Sequence, residues 1–97
     1  MSKKITFKFE GSDEDKQIWI SPGDETNVIK ETILDAALLE KNYLVLLYKP
    51  DDLKANVTVT YDSLDTGIKY IVKLHGKIDF KLFFTFRYIL YYFRFNS

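Results

Sequence analysis

Hydrophobic and polar residues alternate over two short segments near the start of the chain. In residues 5–9 every second side chain is apolar, and residues 16–20 repeat this pattern through Ile18 and Ile20. A period of two places the apolar side chains on one face of a β-strand. The polar, acidic stretch between the two segments is typical of a turn, so the pattern predicts a β-hairpin.

A longer apolar period follows a Ser-Pro-Gly-Asp sequence that breaks the second strand. Its spacing of four residues is that of an amphipathic α-helix lying on a sheet. We expect Asp24 or Thr26 to cap this helix, and we expect the helix to end at Lys41 and Asn42, because Asn tolerates a left-handed conformation. The side chains expected to face the sheet are Ile29, Ile33 and Ala37.

Three further strands are predicted in the rest of the domain. The continuous apolar run 43–48 is typical of an inner strand that is buried on both faces. Residues 57–60 predict a short strand, and residues 68–74 alternate apolar side chains with lysines as a last strand. This order predicts an α+β protein with the β-grasp fold, a mixed sheet with one packed helix, in which a right-handed crossover joins parallel central strands.

The composition fits one small domain and excludes several kinds of protein. The chain has 97 residues, of which 46% are hydrophobic, enough for a single core. The 14 basic and 14 acidic residues cancel, so we expect no nucleic-acid partner. The chain has no cysteine and one histidine, which excludes disulfides, thiolate metal sites and a cysteine nucleophile. Without a Gly-rich phosphate loop or metal-ligand spacing, we expect no catalysis, cofactor or metal.

Charge and aromatic residues are distributed unevenly along the chain. Residues 1–76 carry 10 basic and 13 acidic side chains, whereas residues 77–97 carry 4 and 1, so the net charges are −3 and +3. Nine of the sixteen aromatic side chains lie in residues 80–97. We therefore divide the chain into a β-grasp domain at 3–76 and an aromatic C-terminal extension at 77–97.

Three interpretations of the extension remain open. Its alternating residues 84–90 could pack on the core or add a strand to the sheet. Basic and aromatic residues without acids also suit a membrane interface, although the segment is short for a membrane-spanning helix and has Arg87 at its middle. The third interpretation is a gene-model artefact, because AT-rich codons encode most of these residues.

The start of the chain bears on its location. Met1 to Lys4 lead directly into the first alternating segment, without the apolar stretch of a secretory signal. We therefore expect a cytoplasmic protein, with membrane association through residues 80–97 as an additional hypothesis.

Two segments carry a resemblance to a known family. Residues 16–22 have a leading Lys, alternating apolar residues and a closing Pro, and residues 58–67 have Thr, Tyr, Leu and Gly at characteristic spacings. These features resemble the second strand, and the stretch before the last strand, of the N-terminal ubiquitin-like subdomain of talin-type FERM proteins. Residues 22–24 and 68–76 resemble ubiquitin itself. The resemblance covers residues 3–76, with a gap around 50–57, and implies the ubiquitin-like β-grasp fold.

The resemblance also implies a non-catalytic protein-protein interaction module that binds a small GTPase or a cytoskeletal scaffold. In such modules an exposed strand edge with basic residues complements an acidic partner through charge and added strand pairing. Lys16 matches the Lys that begins the family's second strand, whereas Glu31 and Ala36 stand where the family carries Arg on the helix. An outward-pointing Trp19 could anchor a partner. The candidate binding residues are Lys3, Lys4, Lys8, Lys16, Trp19 and Lys30.

Two alternatives to this interpretation remain. The lysines could simply solvate a sheet edge and discourage aggregation. The sequence from Lys73 to Gly76 also resembles the end of ubiquitin, so the chain could be a protein modifier that is processed at Gly76. A modifier needs a slender tail that ends in glycine, and here 21 residues follow Gly76, which could instead be a loop glycine.

Overall fold

The computed structural model describes residues 1–77, which form five strands and one helix. The predicted interpretations of residues 78–97 lie outside the described residues and remain predictions. In chain order the elements are β1 (Lys3–Phe9), β2 (Lys16–Ile20), α1 (Thr26–Ala36), β3 (Tyr43–Lys49), β4 (Asp52–Asn56) and β5 (Lys69–Lys77).

The strands form a single mixed sheet in the order β2-β1-β5-β3-β4. β1 is antiparallel to β2 and parallel to β5, while β3 is antiparallel to both β4 and β5. The first and last strands are therefore central neighbours, and β2 and β4 are the edge strands of the described sheet. This arrangement confirms the predicted α+β class.

The core lies between α1 and one face of the sheet. The predicted alternation in β1 and β5 is confirmed, because Ile5, Phe7, Tyr70 and Val72 are all buried. On α1 the buried residues are Ile29, Ile33 and Leu34, so Leu34 takes the place predicted for Ala37. The core is completed by Ile18, Ile20, Val45, Leu47, Val59 and Leu64.

The predicted N-cap of α1 is wrong. The N-cap residue is Glu25, and its side chain makes no capping hydrogen bond. Asp24 instead accepts a hydrogen bond through Oδ2 from the backbone N–H of Ser21 at 2.7 Å. The Thr26 hydroxyl donates to the carbonyl oxygen of Val59 at 2.8 Å, so it ties the helix to the chain that follows β4.

The predicted end of α1 is wrong as well, because the helix stops at Ala36. The backbone N–H of Leu38 donates to the carbonyl of Asp35 at 3.0 Å, and that of Leu39 donates to the carbonyl of Leu34 at 2.9 Å. These bonds form a Schellman motif, in which Leu38 takes the left-handed conformation with φ 57°. Leu39 then packs against the core, so burial of this side chain ends the helix before Asn42.

Replacing Leu38 by Gly is expected to raise the free energy of unfolding by about 1 kcal/mol, because glycine adopts a positive φ without the steric cost that a Cβ imposes. Leu38 is 95% exposed, so the substitution removes little packing. Urea denaturation of the full chain measures the change. Leu38→Ala is the matched control: it keeps the Cβ, so a gain equal to that of glycine would show that backbone strain is not the cause.

The second half of the sheet differs from the prediction in two places. Leu44 is 39% exposed, so β3 is not buried on both faces along its whole length. The predicted strand at 57–60 is wrong, since the paired strand β4 ends at Asn56. The backbone N–H of Val57 still donates to the carbonyl of Leu47 at 2.8 Å, after which the chain leaves the sheet and buries Val59 in the core.

Candidate binding site

The face of the sheet opposite α1, called the outer face below, collects the lysines of two central strands. Strand alternation places the buried side chains of β1 and β5 towards α1, and the intervening side chains on the outer face. At these positions β1, β2, β3 and β5 present no Asp or Glu among the described residues. On these four strands the charged residues of the outer face are Lys4, Lys8, Lys69 and Lys73, and the large apolar residues are Trp19, Leu44, Leu46, Tyr48 and Ile71.

Trp19 is the most exposed aromatic side chain of this face. It lies on β2 and is 63% exposed, which confirms its predicted outward orientation. Lys4 is its cross-strand partner on β1, and the Lys4 ammonium lies 5.6 Å from the centroid of the indole ring. A cation at this distance from an aromatic ring is attracted to the ring face, by about 0.5–1 kcal/mol at an exposed site. Lys4 therefore helps to orient the indole while leaving it open to a partner.

The free edge of β2 lies beside this aromatic side chain. In the described sheet β2 pairs only with β1, so its other edge carries unpaired backbone N–H and C=O groups. Lys16 begins this strand, and its ammonium lies 3.4 Å from a carboxylate oxygen of Glu14. Along β2 the free edge runs from Lys16, on the helix-facing side with Ile18, to Trp19 on the outer face, and an added strand would pair there.

Two of the predicted binding residues lie elsewhere. The Lys3 ammonium donates to the carbonyl oxygens of Tyr61 and Leu64 at 2.6 and 3.2 Å, so it holds the connection before β5. Lys30 lies on α1 beside a cavity of about 250 Å³ that Val45 and Val57 also line. The structure therefore brings together Lys4, Lys8 and Trp19 on the outer face. It places Lys16 on the adjacent strand β2 but on the helix-facing side, and it separates Lys3 and Lys30 from this group.

Sequence reasoning missed two residues of the outer face, Lys69 and Lys73. The Lys69 ammonium lies 2.8 Å from Asp15, and the Lys73 ammonium lies 3.3 Å from Glu10. Lys73 also lies 4.8 Å from the centroid of the Tyr48 ring. Their alternation with buried residues was visible in the sequence, but their position beside β1 depends on a parallel pairing between strands from opposite ends of the domain.

Gly76, the residue expected at a modifier terminus, lies inside β5. It has φ 36° and falls between His75, which pairs with Leu44, and Lys77, which pairs with Tyr43. The register shift at this point makes Gly76 the extra residue of a β-bulge, a position at which glycine supplies a positive φ. Processing at Gly76 would therefore cut the chain inside a paired strand.

Two negative findings concern residues 1–77. Within these residues no group of three or more His, Asp or Glu side chains is placed to hold a metal ion. The helix described in this part of the chain, α1, is not long and apolar enough to cross a bilayer.

Comparison of the chain with protein-family models, with curated proteins and with solved structures found no match. The resemblance to ubiquitin-like subdomains therefore depends on the residues quoted above.

Proposed function

We propose that the protein is a non-catalytic protein-protein interaction module built on a ubiquitin-like β-grasp domain. The sheet order and the parallel pairing of β1 with β5 support the β-grasp assignment, because α1, the one helix within residues 1–77, lies in the connection between two hairpin-like pairs and covers one face. The resemblance of residues 16–22 and 58–67 to talin-type FERM proteins also supports this assignment.

The observation that carries the proposal is the free edge of β2 between Lys16 and Trp19. An exposed edge can accept a strand from a partner, whose backbone then satisfies the unpaired N–H and C=O groups. The indole of Trp19 supplies an apolar anchor, and Lys4 and Lys16 supply positive charge. The partner that fits is a protein with an acidic surface beside an exposed strand, which includes small GTPases and cytoskeletal scaffold proteins.

Replacing Lys16 by Glu is expected to weaken binding of such a partner about fivefold, because a like charge then faces the acidic surface. The free energy of unfolding should fall by less than about 1 kcal/mol, because the Lys16–Glu14 pair lies at the surface, with the Glu14 side chain 72% and the Lys16 side chain 24% accessible. A panel of purified small GTPases in both nucleotide states provides the ligands, and biolayer interferometry measures their affinities for the full chain.

Lys30→Glu is the matched control, since it makes the same charge change on α1, away from the β2 edge. Equal losses of affinity for the two variants would assign the effect to net charge. Unchanged affinity for the Lys16 variant would remove the β2 edge as the binding site.

An alternative proposal places the function in the extension rather than in the domain. The basic and aromatic composition of residues 80–97 favours a membrane surface as its partner. If deletion of residues 80–97 leaves the fraction of membrane-bound protein in cells unchanged, this alternative is excluded.

A further inference from the structure

The turn between β1 and β2, residues 10–15, is strongly acidic and reaches three lysines. A carboxylate oxygen of Glu10 lies 3.3 Å from the Lys73 ammonium, and one of Asp15 lies 2.8 Å from the Lys69 ammonium. Both lysines are on the outer face. A third acid of the turn, Glu14, pairs with Lys16 at the start of β2. The turn therefore places negative charge at one end of the outer face.

The lysines of the outer face form a continuous band across β1 and β5. The parallel register pairs Thr6 with Lys69 and Lys8 with Ile71, so the lysines of the two adjacent strands are staggered. Along each strand the two lysines are four residues apart, about 13 Å. We call Lys4, Lys8, Lys69 and Lys73 the basic band.

Charge on the basic band is only partly compensated. The acidic turn neutralises Lys69 and Lys73, whereas Lys4 and Lys8 make no ion pair with the rest of residues 1–77. The Lys69–Asp15 pair is exposed, since its side chains are 52% and 44% accessible, whereas in the second pair Lys73 is 26% and Glu10 is 61% accessible. Ion pairs at the surface are weak, so the carboxylate of a ligand can replace that of the turn.

We propose that the basic band is a docking surface for an extended acidic segment of a protein partner, and that the acidic turn competes with this segment for Lys69 and Lys73. This inference rests on the proposed function, because it names the chemistry of the partner and a means of limiting its affinity. In an extended segment the side chains on one face repeat about every 6.8 Å, so every second one matches the 13 Å spacing of Lys4 and Lys8.

The same geometry favours a narrow ligand over a broad anionic surface. An extended segment can follow the basic band between Trp19 and Ile71 while avoiding Asp13 and Glu14 of the turn. A membrane or a nucleic-acid duplex would meet Asp13 and Glu14 together with the lysines, and both of these acids are exposed. Like-charge contact at that end would oppose its binding.

The test compares two doubly substituted full-length chains that have the same net charge. Glu10→Gln/Asp15→Asn removes the competing carboxylates, whereas Asp51→Asn/Asp62→Asn removes two exposed acids that make no ion pair in residues 1–77. The ligand is a fluorescein-labelled peptide of alternating Glu and Thr, and fluorescence anisotropy is measured at physiological salt, where charges more than about 8 Å apart are largely screened.

The turn variant is expected to bind the peptide about tenfold more tightly than the native chain, and the control variant less than about twofold more tightly. Adding Lys8→Glu to the turn variant should remove the gain, because it breaks the basic band without restoring the turn. Amide chemical shifts of the β5 residues would confirm that each variant is folded.

Equal gains for the two double variants, or no gain for the turn variant, would overturn the competition. If neither the native chain nor the turn variant binds the peptide, the basic band is not a docking surface for acidic segments. Tighter binding of anionic vesicles or of a DNA duplex than of the peptide, with the same dependence on Lys8, would overturn the assigned class of partner. The Lys16→Glu experiment with GTPases is independent of these results, so the proposed function can stand where this inference fails.

Discussion

Replacing Leu64 by Ala is expected to lower the free energy of unfolding by about 3 kcal/mol, the largest effect that we predict for this protein. Leu64 is fully buried although it belongs to the connection between β4 and β5, which has no regular strand or helix. Its side chain is part of the core, and its carbonyl oxygen accepts a hydrogen bond from the Lys3 ammonium. Truncation removes apolar contacts and leaves a cavity that the neighbouring elements can fill only partly.

Urea denaturation of the full chain measures this loss, and Leu53→Ala is the matched control. Leu53 lies on the exposed strand β4 and is 46% accessible, so its truncation should cost less than about 0.5 kcal/mol. Similar losses at the two positions would mean that Leu64 does not anchor the connection to the core.

Replacing Tyr70 by Phe is expected to lower the free energy of unfolding by about 2 kcal/mol at neutral pH. Tyr70 lies on β5 and is fully buried, and its hydroxyl oxygen accepts a hydrogen bond from the backbone N–H of Asp65 at 2.8 Å. The Phe variant keeps the packing of the ring but leaves this partly buried N–H without its acceptor. Loss of the bond should therefore loosen the connection between β4 and β5, which is also anchored to the core by Leu64.

The same hydroxyl makes stability depend on pH in the alkaline range. Burial of the side chain is the main cause that raises the pKa of Tyr70 above its ordinary value of 10.0; the hydrogen bond from the Asp65 N–H lowers it, and the Asp65 charge raises it. The unfolded chain therefore loses this proton first as the pH rises. The contribution of Tyr70 is complete below a pH of about 10 and is lost as the pH rises through the elevated pKa of the folded state.

The pH dependence is measured as the difference between the native chain and the Tyr70→Phe variant, because this difference isolates the contribution of the Tyr70 hydroxyl. We expect the difference in unfolding free energy to be constant near neutral pH and to shrink above a pH of about 10. A difference that stays constant into strong alkali would show that the hydroxyl titrates alike in the folded and unfolded chains.

The residues that stabilise the fold and those proposed to bind a partner lie mainly on opposite faces of the sheet. The face towards α1 holds the buried residues, including Leu64 and Tyr70, whereas the outer face holds the basic band and Trp19. Substitutions of Lys8 or Lys69, which lie on the outer face, can therefore change surface charge with little change in packing. For this reason the binding experiments can be interpreted without large corrections for unfolding.

Local patterns predicted the elements whose side chains alternate between core and water. The period of two in residues 5–9 and 16–20 reflects burial on one face, so β1 and β2 were found together with the outward orientation of Trp19. The α+β class followed from the order of these patterns. Such predictions succeed because burial on one face constrains every second residue, whatever the partner strand is.

Predictions failed where a distant contact outweighed a local preference. Residues 57–60 have strand-forming side chains, but Val59 is buried in the core and the hydroxyl of Thr26 binds its carbonyl oxygen. The helix was expected to continue to Asn42, but the packing of Leu39 ends it at Ala36. In both places tertiary packing contributes more free energy than intrinsic propensity, which amounts to less than about 1 kcal/mol per residue.

The sequence by itself determined which residues have strand or helix periodicity, that Trp19 points outward, and that lysines alternate with buried residues in β1 and β5. The order of the elements predicted parallel central strands, but only the tertiary structure decided that they are β1 and β5, which joins Lys4 and Lys8 with Lys69 and Lys73 in one basic band and separates Lys3 and Lys30 from it. The physical reason is that alternation is set by each strand's own contact with the core, whereas strand order depends on burying α1 and the hairpins together. That requirement acts between residues more than 60 positions apart, such as Thr6 and Lys69, and no local pattern records it.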